Sequence, residues 1–85
     1  MIFFLYFLKN GRPVSRFAIS VNRKIGNSVE RNYIKRKMKE WFRLNGFLLE
    51  QPHDVWVSIK KGFDRESAAG VEGLFLDALT RIRYR

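Results

Sequence analysis

The chain has 85 residues, 46% of them hydrophobic, and carries 17 Lys and Arg against eight Asp and Glu, for a net charge of +9. That is one domain (residues 1–85) with a modest core, too apolar for a disordered tail and basic enough to suit a nucleic acid or an anionic surface. With no cysteine and a single histidine, His53, there is no disulfide framework and almost nothing for a zinc site, which fits an intracellular, cytoplasmic protein.

The opening apolar run, Met1 to Leu8, is far too short to span a bilayer and lacks the flanks of a signal peptide, so no membrane partner is expected. Residues 2–9 read as an aromatic-rich strand and Asn10-Gly11-Arg12-Pro13 as a turn. Residues 16–22 alternate: Phe17, Ile19 and Val21 point one way, and Arg16, Ala18, Ser20 and Asn22 the other. The two strands are expected to pair as an antiparallel hairpin. In the first of them both alternating sets are apolar (Ile2, Phe4, Tyr6, Leu8 and Phe3, Leu5, Phe7). Such a strand wants cover on both faces. A further N-terminal element or another chain, such as a second copy in a homo-oligomer, is expected to supply it.

A short basic link, residues 23–26, leads into the most informative segment. Asn27 is a good N-cap, Glu30 sits three residues on for a capping box, and Gly26 allows a sharp turn into the helix. The helix is expected over residues 28–44, with Asn45-Gly46 as its stop. At about 100° per residue, Asn32, Lys35, Arg36, Lys39 and Arg43 share one stripe about 100° wide, and Ile34, Met38, Trp41 and Phe42 form an apolar stripe beside it. Eight of the 17 basic residues lie between Arg23 and Arg43. A charge run is most often a solvated helix face. Here Glu30 and Glu40 lie on another face and leave the cations free to meet phosphates spaced about a helical turn apart. Arg31 falls at the edge of the apolar arc, where it either snorkels or meets a ligand beside the sheet.

Residues 54–59 read as a short strand with Val55, Val57 and Ile59 on one face and Trp56 and Ser58 on the other. Asp64 or Ser67 caps a last helix whose apolar positions are Val71, Leu74, Phe75, Ala78, Leu79 and Ile82. The order strand, strand, helix, strand, helix gives an α+β fold, a small two-layer sandwich with helices on one face of a three- to four-stranded sheet.

Beside the basic helix, the polar side of the second strand offers Arg16, Ser20 and Asn22, with Lys24 just beyond. Tyr6 either shares that side or belongs to the core. Rings among cations suit single-stranded nucleic acid. Catalytic signals are poor. No carboxylate pair, nucleophile motif or phosphate loop is present, and a His53–Asp54 neighbour pair is far commoner as a local hydrogen bond than as a dyad.

The segment from Arg16 to Arg36 closely resembles the signature of the bacterial ribonuclease P protein subunit, with Arg31-Asn32 opening its so-called RNR motif; residues 54–62 resemble the family's next strand and the turn after it. Tyr33 stands where the family usually has a second Arg, and Ser28 where Ala is usual. The family also begins with a basic segment and an extra helix, so the chain reads as an N-terminally shortened family domain. The resemblance implies a ribosomal-protein-S5-domain-2-like fold with a left-handed βαβ crossover, against the usual preference. It implies a protein cofactor of an endoribonuclease in which an RNA subunit, using Mg²⁺, removes the 5′ leader of precursor tRNA. By position, Arg31, Asn32, Lys35, Arg36 and Lys39 would contact the catalytic RNA, joined by Arg43, Arg23 and Lys24 from the same basic tract. Tyr6, Arg16, Ser20 and Asn22 would border the leader cleft. No residue is expected to be catalytic and no metal site is expected on the protein. The rival reading is a general RNA-binding or ribosome-associated module without precursor-tRNA specificity; a protein-only nuclease is a distant third.

Overall fold

The structure, a computed structural model, describes residues 2–82. Three strands, β1 (Phe3–Lys9), β2 (Arg16–Val21) and β3 (His53–Ile59), form one sheet, and two α-helices, α1 (Ser28–Asn45) and α2 (Ala68–Ile82), pack on it. The small α+β architecture is the one read from the sequence, with three strands.

The strand pairing differs from the expected hairpin. The sheet order is β1-β3-β2, with β3 antiparallel to β1 and parallel to β2. The reason lies in β3. Val55, Val57 and Ile59 are all essentially inaccessible, and such a strand belongs in the middle, where both edges are paired and its inner face meets the helices. Residues 10–15 are long enough to step over it, a span of two strand spacings or about 10 Å. Gly11 takes a positive φ of 64° in this link, a conformation that favours glycine. The Asn10 amide donates to Pro52 O at 3.2 Å, and Ser15 Oγ accepts from the His53 amide at 3.0 Å, so both ends of the link are stitched to the start of β3. Because β2 and β3 run parallel, their connection must cross the sheet face, and α1 is that crossover.

The α1 start is a complete capping box: Asn27 Oδ1 accepts from the Glu30 amide at 2.9 Å and Glu30 Oε1 accepts from the Asn27 amide at 3.0 Å. Gly26 is extended rather than turned. Its requirement is space, because a Cβ there would lie 2.8 Å from Glu30 Oε1. The helix ends by tightening into a 3₁₀ turn, Gly46–Leu48, not by a left-handed glycine stop. Ahead of α2, Asp64 and Ser67 bond each other reciprocally: Asp64 Oδ1 accepts from the Ser67 amide, and Ser67 Oγ accepts from the Asp64 amide, each at 3.1 Å. The pair closes the turn that feeds the helix.

The core lies between the helices and one sheet face. Ile34, Met38, Trp41 and Phe42 of α1 meet Val71, Phe75, Leu79 and Ile82 of α2 over β3. Fully burying such side chains is worth about 1.5–3 kcal/mol each. Phe75 is the hub, with edge-to-face contacts to Phe3 at 6.2 Å and Phe17 at 5.8 Å. Leu74, expected in the α2 stripe, is 54% exposed. It lies about 100° around the helix from Phe75, outside the narrow arc that reaches the sheet.

Candidate nucleic-acid interface

Two surfaces were expected to carry function, and they sit on different sides of the molecule's helical layer. The first is the α1 ridge. Asn32, Arg36, Lys39 and Arg43 are exposed and Lys35 is half-buried. Arg23 and Lys24, also exposed, precede the helix in a 3₁₀ turn, Arg23–Ile25, capped by Asn22. Among the described residues the ion pairs are Arg16–Asp54 and Asp77–Arg81, so none of these cations is held by an acid of the chain. Arg36 is placed over the ring of Tyr33, its guanidinium carbon 5.7 Å from the centroid. Tyr33 in turn meets Phe63 edge-on at 6.1 Å.

Arg31 is half-buried, and its Nε is shielded from solvent without a hydrogen-bond partner. An unsatisfied buried donor of this kind costs about 1–3 kcal/mol.

The second surface is the sheet face opposite the helices. The register puts three rows across it: Leu8, Asp54 and Arg16; Tyr6, Trp56 and Ala18; Phe4, Ser58 and Ser20. Phe4 is 42% exposed, Tyr6 49%, Leu8 70% and Trp56 44%. Strand β1 is therefore apolar on both faces with one of them open. Tyr6 is not core; it stacks on Trp56 with ring centroids 4.7 Å apart and planes 23° apart. Lys60 Nζ sits 5.5 Å from the Phe4 ring centroid. A shallow depression of about 480 Å³ lies among Tyr6, Leu8, Arg16, Ala18, Asp54 and Trp56.

Two of the expected cleft residues are already occupied. Arg16 grips Asp54 through two hydrogen bonds, Nε to Oδ1 at 2.7 Å and Nη2 to Oδ2 at 2.6 Å. The Arg16 guanidinium, then the Asn10 side-chain Nδ2 donating to the same carboxylate at 3.0 Å, hold Asp54 well below the usual carboxylate range. Asn22 Oδ1 accepts from the Lys24 amide at 2.8 Å. Ser20 remains exposed on the open face. Sequence reasoning missed Trp56, Phe4 and Lys60. The signal for Trp56 was available: a Trp on the supposedly polar side of a strand whose other side is Val55, Val57 and Ile59.

His53 Nδ1 lies 2.7 Å from Gln51 O, a local bond, and does not pair with Asp54. No three His, Asp or Glu side chains converge into a metal site among the described residues. No helix among them is long and apolar enough to cross a membrane.

Fold and surfaces together define a small basic α+β protein with a cationic crossover helix beside an open aromatic sheet face. The Ribonuclease P family model matches residues 2–83, and the chain belongs to that family. It is 41% identical over 66 residues to the ribonuclease P protein component of Desulfatibacillum aliphaticivorans, a match covering 73% of this chain and 56% of that protein. It is 39% identical over 80 residues to the component from Clostridium novyi, covering 91% and 70%. The fold matches the RNase P protein from Thermotoga maritima with a TM-score of 0.78 at 30% identity, over 95% of this chain and 77% of the other. Several curated relatives are about twice as long as the part matched here; for the Caldanaerobacter subterraneus protein the share is 44%.

Proposed function

We propose that this chain acts as the protein component of ribonuclease P. In this reading the α1 ridge and the turn before it neutralise phosphates of the catalytic RNA, and the open sheet face grips the single-stranded 5′ leader of precursor tRNA. In the same reading bond cleavage belongs to the RNA subunit and its Mg²⁺, as the family resemblance implies. The observation that carries the reading is the ridge: Lys35, Arg36, Lys39 and Arg43 share one side of α1, and among the described residues no acid is paired to them. Each phosphate contact releases counterions, so binding should be tight at low salt and fall steeply with ionic strength. On the sheet face, Tyr6 and Trp56 offer ring surface for bases, worth about 1–3 kcal/mol per stacked base.

The test is reconstitution. Added to a ribonuclease P RNA at low Mg²⁺, the chain is expected to increase precursor-tRNA cleavage. No gain, with the RNA competent at high Mg²⁺, overturns the reading. A second reading keeps RNA binding but drops precursor specificity; it is favoured by one observation, that Arg16 is held by Asp54 and so is not a free cation in the cleft. Competition between precursor and mature tRNA separates the two, since only the leader-gripping protein prefers the precursor.

A further inference from the structure

A groove of about 450 Å³ runs between α1 and α2, on the flank of α1 facing away from the sheet's open side. Arg36 and Lys37 line it from α1, Arg65 from the turn before α2, and Glu72 from α2. Three cations share this space with one carboxylate, and Glu72 pairs with none of them. Arg65 is exposed, and Lys37 is half-buried against the helix layer. Neither belongs to the ridge: at about 100° per residue Lys37 lies about 160° around α1 from Lys39. Three cations facing a single carboxylate leave the groove with a net positive charge, and a further anion is the group that relieves it.

The groove is continuous with the ridge through one residue. Arg36 belongs to both, and the Tyr33 ring beneath it fixes it at the shared lip. We infer that the groove is a second phosphate-binding site, taking the backbone of an RNA strand that leaves the ridge over Arg36 and runs between the helices past Lys37 and Arg65. The inference rests on the RNA-binding function proposed above and extends its footprint to residues outside the motif. The ligand is a phosphodiester: the lining is polar and cationic at its mouth, and the ring of Trp41 at its base is buried against Phe63, centroids 5.6 Å apart, so no stacking surface is offered there.

The test uses the full chain and an in vitro transcribed ribonuclease P RNA, with binding measured across a salt series. Lys37→Gln and Arg65→Gln are each expected to reduce the slope of log affinity against log salt by about one unit, and together by about two. Arg43→Gln, on the ridge alone, is the reference. If Arg43→Gln lowers the slope and the two groove variants leave it unchanged, the groove proposal is overturned while the ridge stands. If none of the three alters it, the RNA-binding reading fails as well. Circular dichroism on each variant guards against loss of fold, and Arg65→Lys is expected to restore the wild-type slope because it restores the charge.

Discussion

The two faces of the sheet were built from the same strands with opposite outcomes. Toward the helices, Val55, Val57 and Ile59 are sealed under Phe75 and Met38, and no polar or charged residue is buried among the described ones. Away from them, Phe4, Tyr6 and Trp56 stay half in water beside an Arg16–Asp54 pair and the hydroxyls of Ser20 and Ser58. Stability is concentrated on the first face. The second exposes Phe4, Tyr6 and Trp56 side by side, and exposed apolar surface of that kind marks interaction sites.

Substitution on each side breaks the comparison open. Phe75→Ala removes the fully buried hub and is expected to cost about 3–5 kcal/mol of stability, a large share of what a domain of this size has; a denaturant midpoint checks it. Trp56→Ala removes a larger ring from the open face. It is expected to leave that midpoint nearly unchanged while weakening binding of a leader oligonucleotide by about 1–3 kcal/mol. Loss of stability comparable to Phe75→Ala would mean that the open face is structural after all.

The covered face was far more legible in the sequence than the open one. Ile34, Met38, Trp41 and Phe42 could be read from helical spacing because a helix that packs on one side must repeat every 3.6 residues. All four are buried. The capping box was legible for the same local reason, since its partners are three residues apart. What failed was long-range. Nothing local in residues 10–15 tells a tight hairpin from a link that steps over a strand 40 residues on, so β1 and β2 looked like neighbours. The Arg16–Asp54 pair and the Tyr6–Trp56 stack follow from β3 lying in the middle and were invisible for that reason. Arg31 was read as lying on the edge of the packing arc, and its shielded, unpartnered Nε is the structural expression of that position.

A smaller effect sharpens the role of the crossover helix. Asn27→Ala deletes the acceptor for the Glu30 amide and is expected to cost about 1 kcal/mol. The ridge begins one turn later, so RNA affinity should fall no more than fraying of that first turn requires. Hydrogen exchange at residues 28–31 measures the fraying directly, and a loss of affinity without it would place Asn27 in the interface.

The smallest expected change is the most diagnostic of how the open face works. Asp54 is held below the ordinary carboxylate range by Arg16 and Asn10, so its contribution to stability is present above the pKa of an unfolded Asp, about 3.9, and is lost as pH falls toward the lower folded value. Both side chains are substantially exposed, 54% for Arg16 and 35% for Asp54, so solvent and salt screen the pair and the acid-side loss is slight. Asp54→Asn should flatten that limb of the pH profile. It should also release the Arg16 guanidinium from its two bonds and leave one more cation beside Tyr6 and Trp56. The variant is then expected to bind a leader oligonucleotide more tightly at low salt, with a salt slope steeper by up to about one unit. An unchanged slope would mean that Asp54 holds Arg16 in place without withholding it from RNA, and that the carboxylate orients the cleft's cation.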